Sequence, residues 1–195
     1  MPVKLGPAGV PLSCKGRTIV EGMDDIISLG LETMEVQTVR MVAPQHFEQY
    51  WQAGVLAHKT GFEMNIHGPY YSELLGDRLQ RNRSLAKIEA ALQAAKTINA
   101  RHVTLHAGHY GDMSRGQAAN EQVASVFKGI VQRIHDIWND DDEIYPVFPW
   151  LKEGTPAKIG VETSGRQELW GSLEEVLEVV NLSLIHISEP TRRTP

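Results

Sequence analysis

The chain has 195 residues, 42% hydrophobic and 22% charged, with a net charge of −5. That is enough apolar material for one domain with a sizeable core, and the acidic balance argues against indiscriminate binding to polyanions. A single cysteine, Cys14, excludes an internal disulfide framework and fits a reducing compartment, the cytoplasm. No apolar run approaches the roughly 20 residues of a membrane span, and the N-terminus lacks a charged-then-apolar signal pattern.

Taken in chain order, strand-like and helix-like runs alternate. Val3–Leu5 reads as a strand and Ile19–Leu29 as a helix; Met34–Val39 is then a strand and His46–His58 a helix. Phe62–His67 is the next strand, and Ser84–Asn99 is a helix with Leu85, Ile88, Leu92, Ala95 and Ile98 forming one apolar stripe. Val103–Ala107, helix Ala118–Trp138, strand Ile159–Thr163 and helix Leu173–Val180 complete the series. Ser172 and Glu175 have the spacing of a capping box at the start of that last helix. Between Asp140 and Lys158 lies an acidic, Pro-containing stretch that reads as a surface insertion on the face away from chemistry.

This alternation implies an α/β protein with a parallel sheet. No Gly-rich phosphate loop follows a strand, which weighs against a doubly wound nucleotide-binding sheet. The reading is therefore a partial TIM (β/α)₈ barrel with about five of its eight strands, since a whole barrel takes about 250 residues. From Leu182 onward the text (LSLIHISEPTR) resembles a translated sequencing adapter. Residues 1–181 are then the N-terminal part of the barrel and residues 182–195 a non-native tail, so His186 is not read as a ligand.

Three strands end in a side chain able to bind metal: Asn65-Ile66-His67-Gly68-Pro69, Thr104-Leu105-His106-Ala107-Gly108 and Gly160-Val161-Glu162-Thr163-Ser164-Gly165. Successive strand residues point to opposite faces, so His67 shares a face with Asn65, His106 with Thr104 and Glu162 with Gly160. Met64, Ile66, Val103, Leu105, Ile159 and Val161 fall on the other face, suited to covering by helices. The three ligand candidates thus point inward at the C-terminal rim, where barrel enzymes place their sites. Two imidazoles and a carboxylate suit a catalytic Zn²⁺ that keeps a position open for water.

His67-Gly68-Pro69-Tyr70, His106-Ala107-Gly108 and Val161-Glu162-Thr163-Ser164-Gly165 resemble the first signature segments of the endonuclease IV family, within the xylose isomerase-like barrels. Gly6–Pro11 and Met34–Arg40 are similar to an archaeal-style branch of it. The resemblance implies hydrolysis of the phosphodiester 5′ to abasic sites in DNA, by a cluster of three zinc ions. It makes His67, His106 and Glu162 ligands of one zinc, with Glu162 the catalytic carboxylate that also reaches a second. It matches Tyr70 to an aromatic side chain pushed into the DNA; Arg40 reads as a phosphate contact, and Tyr71 as a cap on the core. It also implies a monomer when full length. Ligands on later strands are absent, so this chain is expected to hold one metal weakly and not to cleave DNA.

Lys15, Arg17, Arg40, Arg78, Arg81, Arg83, Arg115 and Arg166 fall in segments read as rim loops, against Glu73, Asp77, Asp112 and Glu168. The acidic run Asp140–Glu143 falls on the opposite face. That asymmetry favours docking phosphates at the rim. A metal-dependent sugar isomerase or epimerase on the same barrel is the alternative, and a non-catalytic barrel that kept a metal site is a third. His109, just past the second segment, departs from the spacing of the better-known members and is set aside.

Overall fold

In the computed structural model, the structure describes residues 3–42, 46–140 and 155–183. The elements are α1 (Ile19–Ser28), β1 (Thr33–Gln37), α2 (Phe47–Thr60), β2 (Glu63–His67), α3 (Arg78–Thr97), β3 (His102–Leu105), α4 (Gln117–Asn139), β4 (Lys158–Val161) and α5 (Leu173–Ser183). All strand pairs are parallel and the strand order is β1-β2-β3-β4, the order of the chain itself. A doubly wound sheet reverses direction at a switch point. This sheet does not, so it is the wall of a partial α/β barrel.

Side-chain alternation decides what faces the helices. Met34, Val36, Met64, Ile66, Val103, Leu105 and Ile159 are buried outward beneath them, each such burial contributing about 1.5–3 kcal/mol. The other face carries Thr33, Glu35, Gln37, Asn65, His67 and Thr104, brought level by a register that pairs Gln37 with His67 and His67 with Thr104. Consecutive helices pack on one another around the outside, α4 against α5 most closely.

The sheet has four strands among the described residues, with no ladder at Val3–Leu5. The N-terminal segment lies along β1 instead, through a single bridge at Ala8–Glu35 and bonds such as Glu35 N–H to the Pro7 carbonyl, 3.1 Å. Pro7 has no N–H to give to a ladder. Gly6 approaches so closely that a Cβ there would stand 1.7 Å from the Thr33 carbonyl oxygen. Helix α3 also begins earlier than the apolar stripe indicated. Asp77 caps it, with the Gln80 N–H to Asp77 Oδ1 bond at 2.8 Å and the Asp77 N–H to Gln80 Oε1 bond at 2.9 Å. Arg78, Arg81 and Arg83 are therefore residues of the first turns of α3, not of a rim loop. Residues 141–154, holding most of the acidic stretch, and residues 184–195, holding most of the adapter-like tail, lie outside the described residues.

Candidate metal centre

Each strand end is pinned before its ligand is presented. Thr38 donates both its N–H (3.0 Å) and its hydroxyl (2.9 Å) to the His67 carbonyl, and the Gly68 N–H donates to the Thr104 carbonyl at 2.8 Å. Glu162 sits one residue past β4, yet its N–H still donates to the Leu105 carbonyl at 3.0 Å. His106 likewise falls just past β3. The strand alternation persists across these ends, so all three side chains turn to the same mouth.

There they converge. His67 Nε2 is 2.8 Å and His106 Nε2 3.5 Å from Glu162 Oε2, and the three candidate ligand atoms all lie within 4.8 Å of one another. Ligands at about 2.0–2.2 Å from a tetrahedral zinc stand about 3.4 Å apart, so the spread brackets the edge of such a site. His67 Nδ1 is 2.9 Å from the Gly68 carbonyl oxygen. That oxygen can only accept, so Nδ1 carries the hydrogen, as in the outer shell of metal-bound histidines. A neutral His67 then aims the Nε2 lone pair at a carboxylate oxygen, and a proton or a cation has to lie between them. The donor set fits a divalent cation.

Burial holds the His106 imidazole below its ordinary pKa, with Glu162 opposing and His67 adding to the depression. Neutral imidazole is the form that binds metal. His67 is buried, His106 half-buried and Glu162 exposed, so the set opens to solvent on the carboxylate side.

Tyr70 stacks on His67 with centroids 4.1 Å apart and planes at 8°. Burial, then the Glu35 and Glu162 carboxylates, push its phenol above the ordinary value, so it stays a hydroxyl donor at neutral pH. Tyr71 does not cap the core: it is 66% exposed, and Tyr70 is the packed ring. The turn after Pro69, closed by the Ser72 hydroxyl donating to the Pro69 carbonyl at 2.9 Å, sets which ring faces inward. Arg40 is exposed in the loop after β1, next to the Tyr70 N–H to Val39 carbonyl bond at 3.1 Å that joins this loop to the next. Arg115, counted above among rim cations, is occupied by the Tyr110 hydroxyl at 3.0 Å.

A cavity of about 440 Å³ opens beside the set, lined by Gln37, Tyr70, Glu73, His106, His109 and Arg166 among others. Glu35, on the inner face of β1 and 3.5 Å from the Thr104 hydroxyl, is a further carboxylate on this face. It shares strand parity with Gln37, so β1 alternation could have found it. The pairing of His109 with Glu73, 2.8 Å, joins residues 36 apart and left no local signal.

A parallel sheet wound in chain order, with histidines and a glutamate gathered at its C-terminal mouth, defines an α/β barrel with an active-site-like rim. The chain belongs to the xylose isomerase-like TIM barrel family, whose model matches residues 23–182. No curated protein matches the sequence. Among solved structures it is similar to a D-tagatose 3-epimerase-like protein (TM-score 0.65, 15% identity, 91% of this chain and 60% of that one). It is also similar to 3-keto-D-glucoside 4-epimerase from E. coli (0.63, 12%, 92% and 65%). Endonuclease IV from Thermus thermophilus gives a TM-score of 0.55 at 20% identity, over 89% of this chain and 58% of that one. The chain thus spans about three fifths of the length of these structures. No helix among the described residues is long and apolar enough to cross a membrane.

Proposed function

We propose that this chain carries the first metal-binding part of a zinc-dependent endonuclease that hydrolyses the phosphodiester 5′ to abasic sites in DNA. The observation that carries the reading is the convergence of His67, His106 and Glu162, two imidazoles from neighbouring strands and one carboxylate, within 4.8 Å. Zinc held there would supply Lewis acidity, making water a nucleophile near neutral pH. The Gly68 carbonyl orients His67, burial keeps His106 neutral, and Glu162 meets both imidazoles through Oε2. With Oε2 facing both imidazoles, the Glu162 carboxylate would be the group able to reach a second cation. Arg40 contacts a phosphate, and Tyr70, braced on His67, presents its ring to the DNA beside the lesion.

In the zinc-loaded intact parent protein, His106→Ala abolishes nicking of an abasic duplex while the far-ultraviolet circular dichroism is retained. Undiminished nicking by that variant rejects the assignment.

A second reading, a metal-dependent sugar epimerase, is favoured by the cavity beside His106, whose volume of about 440 Å³ is in the range of small-molecule sites. Exchange of a ketose proton into heavy water, with no nicking, decides for it.

A further inference from the structure

His109 has no part in the His67–His106–Glu162 set, yet its ring is held more firmly than an exposed loop residue requires. Glu73, from the loop after β2, accepts twice from it: Oε2 from the backbone N–H at 3.0 Å and Oε1 from Nδ1 at 2.8 Å. The first bond alone would clamp the two loops; the second fixes the ring. Because a carboxylate only accepts, Nδ1 carries the hydrogen. His109 Nε2 has no hydrogen-bond partner among the described residues.

Three rim loops meet at this point. Gly108 passes so close to the loop after β2 that a Cβ would stand 1.9 Å from the Ser72 carbonyl oxygen and 3.0 Å from Glu73 Oε2. From the other side, the loop after β4 bridges His109 through Leu169, and the Trp170 N–H donates to the Gly108 carbonyl at 3.0 Å. The pair lines the same cavity as His106 and Tyr70. A carboxylate on Nδ1–H both selects the tautomer and stabilises the imidazolium when Nε2 takes a proton.

We propose that His109, with Glu73 as its positioning residue, is a proton-transfer residue for the molecule bound in this cavity, acting as general acid toward the oxygen that leaves phosphorus. The inference rests on the hydrolytic reading above. Water adds to phosphorus and gives up a proton to solvent while the P–O3′ bond breaks. The imidazolium passes its Nε2 proton to the departing O3′, which leaves as the hydroxyl, and the ring regains a proton from solvent. Glu73 keeps its charge throughout.

The test compares an ordinary abasic duplex with one whose bridging 3′ oxygen is replaced by sulfur, cut by the zinc-loaded intact parent protein. A thiolate, of thiol pKa about 8.5, departs without needing a proton. His109→Gln should lose about 100-fold on the oxygen substrate and keep nearly full activity on the sulfur one. Glu73→Gln should show a smaller loss with the same rescue, and both variants should keep wild-type zinc affinity. Equal losses on the two substrates overturn the proton-transfer role and leave the pair a loop clamp. A wild type that cuts neither substrate overturns the hydrolytic reading itself, and this inference with it. In the chain alone, imidazole ¹⁵N spectra at alkaline pH should show His109 protonated at Nδ1; an Nε2–H ring would also overturn it.

Discussion

His67 and Tyr70 lie face to face, ring centroids 4.1 Å apart and planes within 8° of parallel. The Gly68 carbonyl oxygen holds the edge of the same imidazole at 2.9 Å. A loop residue and a backbone carbonyl together therefore fix the one buried side chain of the candidate metal set. Aromatic pairs of this kind are worth about 0.5–1.5 kcal/mol. Tyr70→Ala should accordingly weaken zinc binding by about two- to twelvefold at 1.4 kcal/mol per factor of ten, while Tyr70→Phe should leave it nearly unchanged. Calorimetric zinc titration checks this, and an unaffected alanine variant would show that the stack does not brace the ligand.

Gly108 is required by geometry as well as by packing. Its φ is +92°, and a Cβ would stand 1.9 Å from the Ser72 carbonyl oxygen. Gly108→Ala should cost about 2 kcal/mol or more, read from the urea unfolding midpoint. A midpoint that does not move would mean that the loops after β2 and β3 are not locked together.

Glu175 makes stability depend on acid. Burial raises its carboxyl pKa, but the Tyr110 hydroxyl and the Ser172 and Gly171 N–H groups outweigh it, and the net shift is downward from 4.5. A carboxyl lowered in the folded state contributes stability that is complete above its unfolded value and lost as pH falls through the folded one. The chain should therefore lose stability below about pH 5. Glu175→Gln should flatten that part of the profile, because the amide oxygen can still accept from Ser172 and Gly171 but the side chain no longer titrates. Parallel acid profiles for the two proteins would contradict the assignment.

Arg40 stands exposed in the loop after β1. As a phosphate contact it should add one counterion to those released on binding. Arg40→Ala in the intact parent should reduce the slope of log K against log salt by about 0.9, with affinity lost equally for abasic and undamaged duplexes. An unchanged slope removes Arg40 from the interface.

Much of this site was legible in the chain because strand alternation is a rigid rule. Once His67, His106 and Glu162 stood at the ends of strand-like runs, their common face followed. It survives in the structure even though β3 and β4 stop one residue short of His106 and Glu162. The Ser172–Glu175 cap was equally plain, and the structure has it, with Ser172 N–H to Glu175 at 2.9 Å. The start of α3 was missed because the apolar stripe begins at Leu85, while the Asp77–Gln80 box that sets the boundary lies among polar residues. Val3–Leu5 has strand-like residues, but Gly6 and Pro7 keep the segment from forming a ladder. The exposure of Tyr71, where a core cap was expected, depends on one turn's dihedral angles, and Glu73 with His109 on a contact between separate loops. Neither leaves a periodic trace.

Zinc X-ray absorption on the chain loaded with one equivalent of metal tests the central claim most directly. The account predicts a shell of nitrogen and oxygen at about 2.0–2.2 Å, with outer-ring scattering from imidazole that diminishes in His67→Ala and again in His106→Ala. A spectrum without imidazole scattering, or one unchanged in both variants, would contradict it.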